Sequence, residues 1–171
     1  ISNNLPWPDN SIWETHWDKR EIFSYTVATQ LRGLYDFAHI ADAAGSKELA
    51  SHYRELADRM LEAAKQQLVY TPQQSLASHQ GVADQDVHVD GSTLEFLHWG
   101  LIEATDPIFE GTLNQYQKLR TNQGGFRRLE PQLSLTGATG ADTYDLSEWV
   151  FLNLRVGDIM RRVGREAEAE T

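Results

Sequence analysis

The sequence contains no cysteine among its 171 residues. Disulfide bonds, cysteine-ligated zinc, iron–sulfur clusters and thiol nucleophiles are therefore all excluded. The same absence leaves the cellular compartment undetermined, because chains without cysteine occur on either side of a membrane.

Basic residues are also scarce, with 15 Lys and Arg against 25 Asp and Glu and a formal net charge of −10. A phosphate backbone would be repelled by this charge, so no nucleic-acid partner is expected. No apolar run approaches the ~18 residues that a membrane span needs, so no membrane partner is expected either. The chain begins at Ile1 without Met or a signal-type segment, and we expect that processing or proteolysis created this start.

Hydrophobic residues make up 40% of the chain, with five Trp, six Tyr and six Phe, which is typical of a protein that folds around a core. The length suits one domain, covering residues 1–171. Within it we distinguish an aromatic loop at 1–21, which holds three of the five tryptophans, helices at 22–165 and an acidic tail at 166–171.

Helical periodicity is clearest in the first half of the chain. Apolar residues recur at spacings of three and four from Ile22 to Ala44 and again from Ser46 to Leu68. This pattern predicts two helices in an antiparallel hairpin, with Gly45 closing the first helix and Ser46 capping the second. The polar stretch between Val69 and Gly91 predicts a long functional or partner-contacting loop.

Three further helices are predicted, which makes the fold class all-α with little strand. The signals are a capping-box sequence, an Asp-Pro start and a late apolar run. The predicted spans are Ser92 to Ile102, Asp106 to Leu119, and Ser147 (as the opening residue) to Arg165. The tail at 166–170 is predicted to be frayed, and a turn with a short extended segment is predicted at 124–128. The fifth helix has no partner for a third hairpin.

The aromatic loop carries the first candidate for chemistry. Glu14 lies between Trp13 and Trp17, and indoles that exclude water would raise the pKa of its carboxyl and favour proton donation near neutral pH. Tryptophan rings also stack on the apolar faces of sugars. The alternative is that these tryptophans cover one end of a helical core and leave Glu14 in solvent.

Two other clusters have a functional and a structural interpretation. The alternating Asp84, Asp86, His88 and Asp90 could form one metal-binding face, although the spacing matches no known ligand pattern, and a solvated loop explains them as well. Arg127 and Arg128, beside the glycines at 124–125, could bind carboxylates, phosphates or sugar hydroxyls, or form structural salt bridges. We predict neither a bound metal nor a cofactor.

Taken in order, the motifs resemble glycoside hydrolase family 15, the group of glucoamylases and glucodextranases. That family has a Trp-Glu-Glu loop followed by a helix that begins Phe-Thr/Ser, then a Leu-Asp-Ala-Ser helix start, an Asp-Pro helix, a Gly-Gly-x-x-Arg-Tyr segment and a Glu-Trp or Pro-Trp helix. The matching segments here are Ile12-Trp13-Glu14, Phe23 to Leu34, Val89-Asp90-Gly91-Ser92, Asp106-Pro107, Gly124 to Leu129 and Glu148-Trp149.

The resemblance implies helix hairpins that form part of an (α/α)₆ toroid, and inverting hydrolysis of α-glucosidic bonds. It implies that Glu14 is the general acid. Trp13, Trp17, Arg128 and Trp149 would bind the α-glucan or oligosaccharide substrate.

The resemblance also implies an incomplete domain. A toroid has about a dozen helices, the family's general base follows the helix that ends here near Arg165, and its Arg-Asp sugar clamp precedes Ile1. We therefore expect an inactive isolated chain and exposed helix faces that favour a homo-oligomer. Thr15 stands in place of the family's second Glu, and Leu129 in place of its Tyr. A non-catalytic carbohydrate- or protein-binding module is the alternative function, and an unrelated all-α interaction domain is a third hypothesis.

Overall fold

The computed structural model describes residues 3–13, 20–130, 133 and 147–169. In this part of the chain the structure is mostly helical, as predicted. The α-helices are α1 (Ser24–Ala43), α2 (Lys47–Gln67), α3 (Leu94–His98), α4 (Pro107–Tyr116), α5 (Val150–Arg162) and α6 (Glu166–Ala169). Two short antiparallel strands, β1 (Val69–Tyr70) and β2 (Ser75–Leu76), pair with each other. No described helix has the length and hydrophobicity that crossing a membrane requires.

The predicted hairpin of α1 and α2 is confirmed. Gly45 has a φ of +81°, and the N–H of Ser46 donates to the carbonyl of Ala41 at 2.8 Å, which is the bond pattern of a Schellman motif. Leu31 of α1 and Met60 of α2 are almost completely buried in the shared core. The predicted capping role of Ser46 is wrong, because its side chain makes no capping hydrogen bond.

Helix α3 is shorter than the sequence pattern predicts. Gly100 has a φ of +68°, and the N–H of Leu101 donates back to the carbonyl of Phe96 at 2.8 Å, so a second Schellman-type turn ends the helix before Ile102. The predicted capping box is also wrong. Asp90 caps the preceding 3₁₀ turn by accepting from the N–H of Ser92 at 2.8 Å.

Helix α4 begins as predicted. The Asp106 carboxylate accepts from the N–H of Ile108 at 2.9 Å, with Pro107 in the first turn. Gly111 lies where the helix meets the turn between β1 and β2, and a Cβ atom at this position would lie 2.2 Å from the carbonyl oxygen of Gln74. The helix and the turn therefore approach each other backbone to backbone.

The C-terminal tail is ordered in its described part, so the prediction of fraying is wrong for those residues. Residues 166–169 form α6. Arg165 explains this order, since its guanidinium bonds Glu168 at 2.7 Å and Glu110 of α4 at 2.6 Å. Helix α5 ends earlier than predicted, near Gly164, which has a φ of +76°.

The segment predicted as one long loop contributes to the core. Residues 75–79 and 88–93 are buried and lie against residues 128–130. We call these three segments the polar layer, because their buried side chains include many polar ones: Ser75, Ser78, His79, His88, Asp90, Ser92, Thr93, Arg128 and Glu130. Asp84 and Asp86 are exposed, so the solvated interpretation holds for part of the segment.

Candidate active site

Trp13 belongs to the aromatic loop, and its indole lies inside the protein. Its exposed fraction is 4%. The indole N–H donates to Oδ1 of Asp90 at 2.8 Å. A buried indole needs such an acceptor, because an unpaired N–H in the interior costs free energy.

Arg128 lies between two tryptophans. The segment that carries it leaves the Gly124 turn, where φ is +104°, and pairs through Leu129 with Asp90. The Arg128 guanidinium carbon is 5.2 Å from the Trp13 ring centre and 5.0 Å from the Trp149 ring centre. Both distances are within the range of cation–π attraction. The side chain is 1% exposed.

Trp149 reaches the same place from the start of α5. Its backbone N–H donates to the carbonyl of Phe126 at 2.9 Å, and its ring centre lies 5.9 Å from that of Trp13. The neighbouring Glu148 accepts from the N–H of Gly125 at 3.0 Å and from the hydroxyl of Thr121. These bonds fix the start of α5 to the Gly124 turn.

The structure thus brings together three of the five residues predicted for the site: Trp13, Arg128 and Trp149. Glu14 and Trp17 lie outside the described residues. The aromatic loop thus contacts, through Trp13, the segment that follows the glycine turn, although the two are more than 100 positions apart in the sequence.

Sequence reasoning missed the role of Asp90 as a structural centre. Its carboxylate accepts from the indole of Trp13, from the hydroxyl of Ser78 at 3.0 Å and from the N–H of Ser92. From the alternating acidic pattern, Asp90 was a candidate member of a metal-binding face. A signal was present in the Asp90-Gly91-Ser92 order, which is typical of an Asp that caps the following turn.

His88 is also buried and paired. Its Nδ1 lies 2.9 Å from the carbonyl oxygens of Gln85 and Asp86, so Nδ1 carries the proton and Nε2 accepts from the Ser75 hydroxyl at 2.8 Å. Removal from water lowers the pKa of His88. Within the described residues no three His, Asp or Glu side chains form a group that could hold a metal ion.

A cavity of about 560 Å³ lies between the Gly124 turn, α5 and α6, and its described lining does not include Trp13, Arg128 or Trp149. Gln117, Glu148 and Asn153 contribute polar groups to its wall. The volume would hold a small polar ligand.

Comparison with known proteins identifies the family. The sequence model described as glycosyl hydrolases family 15 matches residues 1–132, which is more than three quarters of the chain. The chain belongs to glycosyl hydrolases family 15. The hypothesis of an unrelated interaction domain is therefore set aside. No curated protein matches the chain.

Membership of family 15 makes the chain part of the glucoamylase family of glycoside hydrolases. The matched range includes Trp13, Glu14, Trp17 and Arg128, and it ends before Trp149. Family 15 suggests a carbohydrate substrate, and the described cluster of aromatic rings around an arginine has the groups that a sugar site uses.

Proposed function

We propose that this chain supplies the general-acid side of an inverting α-glucosidase site that acts on oligo- or polysaccharides. The observation that carries the proposal is the cluster of Trp13, Arg128 and Trp149 within a family 15 chain. Trp13 of this cluster directly precedes Glu14 in the sequence. In this mechanism Glu14 protonates the leaving glycosidic oxygen, and a second carboxylate activates water on the opposite face of the sugar.

The residue that precedes Glu14 in the sequence favours this role. Trp13 is peptide-bonded to Glu14 and is held by Asp90, by Arg128 and by Trp149. Apolar rings near a carboxyl group disfavour its ionised form, which keeps a proton available near neutral pH. Trp13, Trp17, Arg128 and Trp149 bind the sugar in this proposal. Because Trp13 and Arg128 are buried, we expect the cluster to open on binding, with a change in tryptophan fluorescence.

The general base comes from outside these 171 residues in the proposal, so the isolated chain should be inactive. The test is release of reducing sugar from maltooligosaccharides by the isolated chain and by the intact gene product. Turnover by the isolated chain would contradict the external base.

The role of Glu14 is tested by Glu14→Gln in the intact gene product. Loss of proton donation should lower kcat at least ~100-fold, whereas the midpoint of thermal unfolding should stay close to that of the wild type because the two side chains have similar size. Glu21→Gln is the matched control, since Glu21 contributes a backbone pair with Asp9 and no proposed chemistry. Wild-type turnover in Glu14→Gln would remove Glu14 from the mechanism.

A non-catalytic binding module is the second candidate function. Thr15 in place of the family's second carboxylate favours it. Calorimetry would then detect maltooligosaccharide binding by the intact gene product in the absence of any hydrolysis.

Self-association through exposed helix faces belongs to the same proposal. Val150 and Leu154 lie one turn apart on α5 and are 71% and 67% exposed, and Ile40 of α1 is 63% exposed. Exposed apolar patches of this kind drive association. Sedimentation should detect a dimer or larger species, and a monodisperse monomer would contradict it.

A further inference from the structure

Asp90 is a buried carboxylate to which the proposed function assigns no role. It is 1% exposed. Oδ1 accepts from the Trp13 indole and from the N–H of Ser92, each at 2.8 Å, and Oδ2 accepts from the Ser78 hydroxyl at 3.0 Å. Burying a charge is costly unless hydrogen bonds compensate it, and these three donors provide that compensation.

Gly91, the residue after Asp90, contacts the backbone of Arg128, the second member of the cluster. The N–H of Gly91 donates to the carbonyl of Arg128 at 2.6 Å. A Cβ atom at position 91 would lie 3.1 Å from that carbonyl oxygen and 2.8 Å from Cδ1 of Leu152. The backbone of Arg128 is therefore fixed closely against the Asp90-Gly91 pair.

Two consecutive residues thus reach both sides of the proposed site. The side chain of Asp90 fixes the ring of Trp13, and the backbone of Gly91 fixes Arg128, whose guanidinium lies on that same ring. A bond to a carboxylate is stronger and shorter than a bond to a neutral acceptor. This matters because a catalytic group has to be held within about 0.5 Å of its productive position.

We infer that Asp90 is a positioning residue, which sets the orientation of the Trp13 indole within the proposed sugar-binding cluster. The inference rests on the proposed function, in which Glu14 is the general acid. Asp90 itself does not touch the sugar. Because Trp13 is one of the proposed sugar-binding residues, the effect of Asp90 is expected on turnover and on the signal of the Trp13 indole.

The principal test is Asp90→Asn in the intact gene product, with maltooligosaccharide as substrate. The amide keeps an acceptor oxygen but loses the charge, so the Trp13 ring is held less firmly against the sugar and kcat should fall about 10-fold. The Nε1–H resonance of Trp13 in an NMR spectrum should move toward the value of an indole with a weaker hydrogen bond. Asp90→Ala removes the acceptor and should enlarge both changes.

Glu130→Gln is the matched control. Glu130 is another buried carboxylate of the polar layer, and its Oε2 accepts from the N–H groups of His88 and Val89, each at 2.9 Å. It makes no described bond to Trp13. This variant should keep kcat and the Trp13 resonance, even if its stability falls.

A double-mutant cycle separates positioning from general stability. Trp13→Phe removes the indole N–H, so Asp90→Asn should cause no further loss of kcat in that background. Three results would overturn the inference: unchanged kcat in Asp90→Asn, an equal loss in Glu130→Gln, or additive losses in the cycle.

The Glu14→Gln variant distinguishes this inference from the proposed function. If Glu14→Gln abolishes turnover and Asp90→Asn leaves it unchanged, the positioning role alone is wrong. If Glu14→Gln keeps full turnover, the proposed function and the positioning role are both wrong.

Discussion

The α1–α2 hairpin and the polar layer are held together by different interactions. The hairpin buries aliphatic side chains such as Leu31 and Met60, whereas the polar layer buries Asp90, Arg128 and Glu130. Apolar burial is non-directional, so an amphipathic helix tolerates a range of packing positions. A buried carboxylate requires donors at fixed distances and angles. The proposed site lies on the polar layer, where directional hydrogen bonds fix the positions of the side chains.

The largest loss of stability is expected from a substitution in the polar layer. Glu130→Ala leaves the buried N–H groups of His88 and Val89 without their acceptor, at a cost of about 2 kcal/mol each, or about 4 kcal/mol in all. Chemical denaturation measures this loss. Glu130→Gln keeps an acceptor oxygen and should recover most of it. A loss below about 1 kcal/mol in Glu130→Ala would show that the layer does not depend on this carboxylate.

The hairpin should respond less to the loss of a single side chain. Leu31→Ala removes a fully buried leucine, which typically lowers the free energy of unfolding by about 3 kcal/mol. Leu49→Ala is the control, because Leu49 is 43% exposed, and its effect should be within about 0.5 kcal/mol. If both variants lose the same stability, the assignment of the core to the inner hairpin face is wrong.

Acid should weaken the polar layer. Desolvation lowers the pKa of His88 in the folded protein below its value in the unfolded chain, so the unfolded chain binds the proton more readily. The stabilisation is complete above the unfolded pKa of about 6.5 and is lost progressively as the pH falls below that value through the lower pKa of the folded state. The midpoint of thermal unfolding should therefore decrease from pH 7 to pH 5.

His88→Asn tests the source of this pH dependence. The variant should unfold at a lower temperature at pH 7 and show a shallower decrease toward pH 5. Part of the slope should remain, because desolvation also lowers the pKa of His98. An unchanged slope would assign the acid sensitivity to other groups.

The smallest expected change in stability tests whether every buried polar group stabilises the protein. Tyr116 is 1% exposed, and its hydroxyl has no hydrogen-bond partner among the described residues. Burial raises its pKa, and the charges of Asp90 and Glu95 raise it further. Tyr116→Phe should therefore change the free energy of unfolding by less than about 0.5 kcal/mol or increase it.

Tyr35→Phe is the matched comparison, since the hydroxyl of Tyr35 donates to Asp58 at 2.8 Å. This variant should lose about 0.5 to 1 kcal/mol. If Tyr116→Phe loses more than Tyr35→Phe, the Tyr116 hydroxyl has a partner that stabilises the protein.

The sequence predicted the hairpin well because its information is local. Apolar residues at helical spacing and Gly45 specify two helices and their turn. The ends of α3 and α5 were predicted less well, since Gly100 and Gly164 end them by positive φ within stretches that continue the apolar pattern. Family motifs predicted the grouping of Trp13, Arg128 and Trp149. Periodicity could not, because the contacts between them join distant segments.

Local sequence patterns could not predict the polar layer either. Polar residues between Val69 and Gly91 predict exposure, and nothing in that stretch indicates that Glu130 and Trp13 supply partners for its donors and acceptors. The fate of a buried polar residue depends on its partners, and those partners are distant in the sequence.

Gly111 has a consequence for the order in which parts of the chain become stable. A glycine in the middle of a ten-residue helix makes α4 a weak helix in isolation, by about 1 kcal/mol relative to alanine. Alanine is excluded because it would collide with the β1–β2 turn. Helix α4 therefore depends on its packing against that turn for its stability. In native-state hydrogen exchange, the amides of α4 and of β1–β2 should open as one cooperative unit.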